Sequence, residues 1–180
     1  MKRFLRHLLE GSVDAMFTEI PSDFHSVETG EPFAACVECE GALTGFYIIE
    51  KAFVNGDALY EYALCGECLQ SISEDLSKDS KRCIRKFLGF RYRKSNLDRC
   101  WKCKAPRDAD GEHVICGAFN HDRMFQMGVP LSLCGACSGL LMESLSKQTR
   151  DRLDDFDREH FPGPPEYELD LPRPRRPVLI

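Results

Sequence analysis

The chain has 180 residues, of which 43% are hydrophobic and 29% are charged, and its formal net charge is −5. This length suits one domain or two small ones, and the negative total does not favour a protein that binds polyanions over its whole surface. Arg6, His7 and Glu10 interrupt the apolar run that a secretory signal needs, and no segment is apolar over the length of a membrane span. We therefore expect a cytoplasmic protein that does not enter a membrane and keeps its ten cysteines reduced.

Residues 1–35 are predicted to form an N-terminal helix followed by a loop. Apolar side chains recur close to every 3.6 residues between positions 2 and 20, and Pro21 ends the pattern. We expect this helix to pack on the rest of the protein, with docking to a partner as the alternative.

Residues 36–88 form the first cysteine-rich module. It opens with Cys36-Val-Glu-Cys39 and reaches a second pair, Cys65-Gly-Glu-Cys68. Between the two pairs, β-prone runs flank Asn55-Gly56, which is typical of the tight turn of a β-hairpin because both positions accept positive φ. One helix is predicted to follow, with Cys68 in its first turn. Its buried stripe consists of Ile72, Leu76, Ile84 and Phe87.

Residues 89–99 form a basic linker, and the cations extend beyond it on both sides. Residues 81–107 hold 11 basic side chains and a single acidic one, Asp98. Aromatic residues lie among these cations, a combination that can stack on bases and neutralise phosphates. In the alternative, the aromatics pack between the modules and the cations are solvated. The candidate nucleic-acid-binding residues are Arg85, Lys86, Arg91, Tyr92, Arg93, Lys94 and Arg99.

Residues 100–160 form a second module that repeats the plan of the first. It has the pairs Cys100-Trp-Lys-Cys103 and Cys134-Gly-Ala-Cys137, and residues 134–147 match residues 65–78 at 7 of 14 positions without a gap. A strand is predicted over residues 113–119 and a return strand over residues 124–133. The helix that follows places Leu141, Leu145, Leu153 and Phe156 where the first module has its buried stripe. We interpret this agreement as an internal duplication.

Residues 161–180 form a tail with six of the ten prolines of the chain. Such a segment cannot continue a helix or form a central strand, so an extended conformation is predicted. The tail either lies along the protein through Tyr167, Leu169 and Leu171 or extends away from it.

The order of a cysteine turn, a β-hairpin and a second cysteine pair at the start of a helix resembles the treble-clef zinc finger. The resemblance covers about residues 36–87 and 100–156, and it implies an α+β fold of two tandem zinc modules with two Zn²⁺ per chain. It implies that Cys36, Cys39, Cys65 and Cys68 bind one ion and that Cys100, Cys103, Cys134 and Cys137 bind the other. Four thiolates complete a tetrahedral shell and leave no open position, which marks a structural site. Iron is the alternative metal for the same geometry.

A non-catalytic adaptor with a protein partner is the function we expect, and nucleic-acid binding through residues 81–107 is the alternative. Two enzymatic hypotheses fit less well. The Cys-Gly-x-Cys pairs resemble a thioredoxin-type redox motif, but the βαβ pattern of that fold is missing. Asn120-His121-Asp122 resembles part of a His-Asn-His nuclease, but the first module has no histidine at that place. Cys83 and Cys116 are expected to be buried or half-buried free thiols.

Overall fold

The two cysteine-rich modules contribute their strands to one antiparallel sheet. The computed structural model describes residues 17–89, 97–108, 111–126 and 130–162. The strands are β1 (Phe17–Glu19), β2 (Phe46–Val54), β3 (Asp57–Cys65), β4 (His113–Asn120), β5 (Arg123–Phe125) and β6 (Leu131–Cys134). Their order across the sheet is β1-β5-β4-β2-β3, and β6 also pairs with β4. The helices are α1 (Gly66–Asp75), α2 (Lys78–Leu88), α3 (Gly135–Ser144) and α4 (Lys147–His160).

The predicted hairpin of the first module is confirmed. Strands β2 and β3 pair from Tyr47↔Cys65 to Val54↔Asp57, so the pair of residues between them makes the tight turn. Asn55 has φ of 54° and Gly56 has φ of 84°, the left-handed values that this kind of turn requires. The hairpin therefore delivers Cys65 to the end of β3.

The sequence did not predict that the two modules join through their strands. β2 and β4 pair antiparallel along eight residue pairs, from Phe46↔Asn120 to Phe53↔His113. In the middle of this seam Glu50 lies opposite Cys116. These two residues also correspond when residues 47–53 are aligned with residues 113–119, which share Ile, Ala and Phe at matching positions. The β2–β4 pairing is therefore symmetric about this central pair. A residue of β2 and its equivalent in β4 lie the same number of positions from the centre, on opposite sides of it.

The sheet is covered on both faces. The helix face of the sheet packs against the four helices, and its buried residues include Ile48, Leu64, Val114 and Leu133. The opposite face packs against the segment of residues 20–43, where the fully buried Phe24 lies among the other side chains. Because both faces are covered, β4 is buried from residue 113 to residue 119 rather than alternating in burial.

The single helix predicted after each cysteine pair is wrong, because each is two helices. The chain is extended at Leu76, with ψ of 144°, and at Leu145, with ψ of 151°. Each break is followed by a serine whose side chain caps the next helix: Ser77 accepts from the N–H of Ser80, and Ser146 accepts from the N–H of Thr149. The predicted stripe residues are nevertheless buried, except for Phe87, which is half-buried.

The two caps meet at a hydroxyl cluster formed by Ser77, Ser80, Ser146 and Thr149. The N–H of Ser77 donates to Oγ1 of Thr149 at 3.1 Å, and the N–H of Ser146 donates to Oγ of Ser80 at 2.9 Å. Each module thus supplies the hydroxyl that accepts a hydrogen bond from the backbone N–H of the capping serine in the other module. Ser80 and Thr149 are buried and Ser77 and Ser146 are half-buried, so the cluster links the two helix breaks at a site with little access to water.

The end of the predicted N-terminal helix is also wrong. Phe17–Glu19 forms β1, which pairs with β5 in the register Phe17↔Phe125, and the two rings lie 4.4 Å apart between centroids. Strand pairing at the sheet edge therefore overrides the helical pattern there. The rest of that predicted helix, residues 1–16, and the tail from residue 163 onward lie outside the described part of the chain.

The return strand predicted over residues 124–133 is replaced by two short strands, β5 and β6. The segment of residues 127–129, between them, lies outside the described residues. Within the described ranges, no helix combines the length and apolar character that crossing a bilayer requires.

Candidate metal centres

The first candidate centre brings together the cysteines of the first module. Cys36 and Cys39 lie on a tight turn in which the N–H of Cys36 donates to the carbonyl of Gly41 and the N–H of Glu40 to that of Cys36, each at 2.9 Å. Glu40 has φ of 58°, which turns the chain back after Cys39. Cys65 ends β3 and Cys68 lies in the first turn of α1. The four sulfur atoms lie within 4.8 Å of one another.

The second candidate centre has the same construction. The N–H of Cys100 donates to the carbonyl of Ala105 at 2.8 Å, and the N–H of Lys104 donates to that of Cys100 at 3.0 Å. Lys104 has φ of 66°. Cys134 ends β6 and Cys137 lies in the first turn of α3, so the second set, Cys100, Cys103, Cys134 and Cys137, also has its sulfurs within 4.8 Å of one another.

The spacing of the sulfurs fits a tetrahedral metal ion. Four sulfurs at the zinc–thiolate distance of about 2.3 Å form a tetrahedron with edges of about 3.8 Å. The Sγ atoms of Cys39 and Cys65 are 3.9 Å apart, and those of Cys103 and Cys134 are 3.8 Å apart. A disulfide would need about 2.05 Å. Both sets are therefore positioned to hold a metal ion, and all-sulfur coordination favours zinc.

One cysteine of each set is prepared as a thiolate by backbone N–H groups. Burial works to raise the pKa of Cys36, but the N–H groups of Cys65, Cys39 and Glu38 outweigh it and lower that pKa from 9.0 to about 7. At Cys100 burial is likewise outweighed by N–H groups of Cys134, Cys103 and Lys102, and the pKa again falls to about 7. Such donors stabilise the negative charge that metal binding requires.

The cysteines in the first turns of the helices, Cys68 and Cys137, have raised rather than lowered pKa values. Burial, followed by the neighbouring thiols of its own set, raises the pKa of Cys68, and the same causes raise the pKa of Cys137. Four adjacent thiols cannot all ionise without a compensating cation. A bound dication supplies that charge and deprotonates its thiol ligands.

The two remaining cysteines lie outside both sets, as expected. Cys83 is half-buried on α2, and Cys116 is buried at the centre of β4. Burial, with a smaller contribution from the charge of Glu50, raises the pKa of Cys116 well above its usual value. A thiol in this environment behaves as a small apolar side chain.

The candidate nucleic-acid residues are only partly described by the structure. Arg85 and Lys86 are exposed on α2, and Arg99 is exposed just before the second centre. Arg91, Tyr92, Arg93 and Lys94 lie outside the described residues.

Sequence reasoning missed two lysines next to the second centre. Nζ of Lys102 lies 4.5 Å from the centroid of the Phe87 ring, and Nζ of Lys104 lies 5.0 Å from that of Trp101. The indole N–H of Trp101 donates to the carbonyl of Leu88 at 2.5 Å. The signal for this arrangement was present as two lysines within the turn of the second cysteine pair, but their contact with α2 is not a local feature.

Neither His121, the histidine of the nuclease hypothesis, nor His113 belongs to a metal-binding group among the described residues. His121 is exposed in the turn after β4, where its backbone carbonyl accepts from the hydroxyl of Tyr47 at 2.9 Å. His113 is buried, and its ring stacks on Phe53 with centroids 4.9 Å apart. Burial lowers the pKa of His113.

Glu50 is another polar residue that the sequence analysis did not identify. It is fully buried on β2, and its Oε1 accepts from the hydroxyl of Tyr60 at 2.8 Å. The apolar runs on either side of it in the sequence gave no indication that a carboxylate lies at the middle of the sheet.

Comparison of the chain with protein-family models, with curated proteins and with solved structures finds no match. The function is therefore inferred from the geometry of the two centres and of the surfaces next to them.

Proposed function

We propose that the protein is a non-catalytic zinc-binding adaptor in which each four-cysteine set holds one structural Zn²⁺. The convergence of four sulfurs at each centre carries this proposal. Four thiolates fill the tetrahedral shell of zinc, so neither a water molecule nor a substrate has a free coordination position. The metal then stabilises the fold, because the free energy of binding at such sites is also free energy of folding.

Each centre belongs, in this proposal, to a treble-clef module, and the two modules arose by duplication. Corresponding contacts support it. The N–H of Val37 donates to the carbonyl of Ala63 at 2.9 Å, and the N–H of Trp101 donates to that of Ser132 at 2.6 Å. The two cysteine turns, the two helix breaks and the two serine caps also occur at matching positions.

A protein is the proposed partner. Two aromatic rings beside the second centre, those of Phe87 and Trp101, are each approached by a lysine of the same chain. Those ring faces are therefore occupied by cations and are poorly placed for stacking on nucleic-acid bases. The net charge of −5 also opposes binding to a long polyanion.

Metal content tests the zinc assignment. Purified, reduced protein should contain two Zn²⁺ per chain by elemental analysis. Cys68→Ser and Cys137→Ser should each lose one ion, because each removes a ligand at the start of a helix. Cys83→Ser and Cys116→Ser are the matched controls and should keep both ions. Two ions per chain in Cys68→Ser, or none in the unmodified protein, would contradict the assignment.

Nucleic-acid binding is the second candidate function, since three of its predicted residues are accessible. Arg85, Lys86 and Arg99 are exposed, and none forms an ion pair with a described carboxylate. If they contact phosphates, replacing all three with Gln should weaken binding and reduce the salt dependence by about one unit per lost contact. The adaptor proposal instead predicts no saturable binding to single- or double-stranded DNA or RNA at physiological salt.

A further inference from the structure

The surroundings of the two candidate zinc centres carry opposite charges. At the first centre, the charged residues between and next to the cysteines are Glu38, Glu40 and Glu67. The corresponding positions at the second centre are Lys102, Lys104 and Ala136. Glu40 and Glu67 are exposed, and their carboxylates make no hydrogen bond or ion pair with a described residue, whereas the carboxylate of Glu38 lies 2.7 Å from Nε2 of His160.

Other charges near the second centre reduce this contrast but do not reverse it. Arg99 donates to the carbonyl of Lys104 at 3.2 Å and adds a cation, while Asp98 and Glu112 add anions. Summed over these neighbours, the second centre has a surplus of one positive charge and the first has three negative ones. Binding Zn²⁺ releases the protons of the cysteine thiols, so loading takes a centre from near neutrality to a charge of −2. The positive surroundings of the second centre favour this change, and the negative surroundings of the first oppose it.

We propose that the two centres differ in metal affinity, with the first holding an exchangeable zinc ion and the second a retained one. This inference rests on the zinc ligation proposed above. In water, a unit charge roughly 8 Å from a centre of charge −2 changes its metal affinity by about fivefold before salt screening. With several such charges differing, the two dissociation constants should differ by at least about tenfold at low ionic strength.

Other properties of the centres do not explain such a difference. Cys36 and Cys100 receive backbone N–H groups from corresponding residues, so this stabilisation is shared. Burial differs at one position, since Cys68 is half-buried and Cys137 is buried. Burial disfavours a thiolate and on its own predicts weaker binding at the second centre. The order of the two affinities therefore distinguishes charge from burial.

The proposal gives the modules different roles. When free zinc falls, the first centre empties while the second still holds its ion. Since metal binding and folding are coupled at such sites, the surface built around the first centre would then depend on zinc supply. The second module would remain folded as the constant part of the adaptor.

Trp101 makes the experiment specific for one centre. It is the only tryptophan of the chain and lies between the ligands Cys100 and Cys103. Full-length protein with two Zn²⁺ is titrated to equilibrium with a chromophoric chelator, while released zinc and tryptophan emission are followed together. The titration is made at equilibrium because the charge of the chelator would affect how fast it removes zinc from each centre, but not the affinity of the centre for zinc. The first equivalent of zinc should be released without a change in tryptophan emission. Release of the second equivalent should be accompanied by such a change.

Charge variants assign the difference to its cause. Neutralising both exposed carboxylates in Glu40→Gln/Glu67→Gln should tighten the weaker site by about tenfold, and neutralising both lysines in Lys102→Gln/Lys104→Gln should weaken the tighter site by a similar factor. Asp57→Asn is the control, because Asp57 is eight residues from Cys65 along β3, about 26 Å away. Added salt should narrow the difference.

The outcomes separate this inference from the zinc assignment. If the protein binds no zinc, the proposed function fails as a whole. If it binds two ions that leave together, or the ion linked to the emission change leaves first, only the proposed difference between the centres is refuted. If the dissociation constant of the weaker site is unchanged in Glu40→Gln/Glu67→Gln, charge is not the cause of the difference between the centres.

Discussion

Replacing Thr149 with valine removes one hydroxyl from the cluster where the four helices meet. Oγ1 of Thr149 accepts from the N–H of Ser77 at 3.1 Å and lies 3.2 Å from Oγ of Ser146. Thr149 is fully buried, so water cannot replace the lost acceptor. Valine has nearly the same shape, and the change therefore isolates the hydrogen bond from packing.

The expected cost is that of a buried N–H left without an acceptor, about 2 kcal/mol. For a chain of this length this lowers the midpoint of thermal unfolding by about 4–8 °C. Urea denaturation of the zinc-loaded protein measures the free energy of unfolding directly. Ser80→Ala removes the corresponding acceptor of Ser146 N–H and should cost a similar amount. Thr44→Val, on an exposed side chain, should change stability by less than about 0.5 kcal/mol. A Thr149→Val cost as small as that of Thr44→Val would refute the role given to the cluster.

Two further predictions concern the face of the sheet opposite the helices. At Gly117 a Cβ atom would lie 2.7 Å from the ring of the fully buried Phe119, so Gly117→Ala should cost about 1–3 kcal/mol in urea denaturation. Gly139→Ala, where nothing lies within 4 Å, should instead stabilise α3 by up to about 1 kcal/mol. Lys51→Met removes the buried cation that pairs with Glu61 at 3.1 Å, and it should cost about 3 kcal/mol by the same assay. Equal stability of Gly117→Ala and Gly139→Ala, or an unaffected Lys51→Met, would contradict these packing arguments.

Features set by neighbouring residues could be predicted from the sequence. The hairpin turn at Asn55-Gly56 depends on two adjacent positions that accept positive φ, and both adopt it. The four cysteines of each set could be recognised as metal ligands because the first pair lies in a tight turn and the second pair at a helix start. These local structures determine the direction of each side chain. The approach of the two pairs to within 4.8 Å follows from the hairpin between them.

Features that depend on contacts between distant segments could not be predicted. The pairing of β2 with β4 joins the two modules, but nothing in either strand specifies its partner. The helix breaks had a local signal, since Ser77 and Ser146 are good capping residues, but the apolar stripe continues across both breaks. The structure shows why the breaks form: the N–H groups of both serines find buried acceptors in the other module.

The pair at the centre of the β2–β4 seam suits two modules that differ in sequence better than it would suit two identical ones. Glu50 lies opposite Cys116, at positions that correspond in the proposed duplication. Two identical modules joined by the same seam would place two buried carboxylates about 5 Å apart, an arrangement that like charges destabilise. In this chain one of them is a cysteine whose pKa is raised by burial and by Glu50, and the remaining carboxylate accepts from the hydroxyl of Tyr60. Under the proposed duplication, divergence of the two modules within one chain allows the seam to hold a single carboxylate. The same divergence allows the two candidate metal centres to have surroundings of opposite charge.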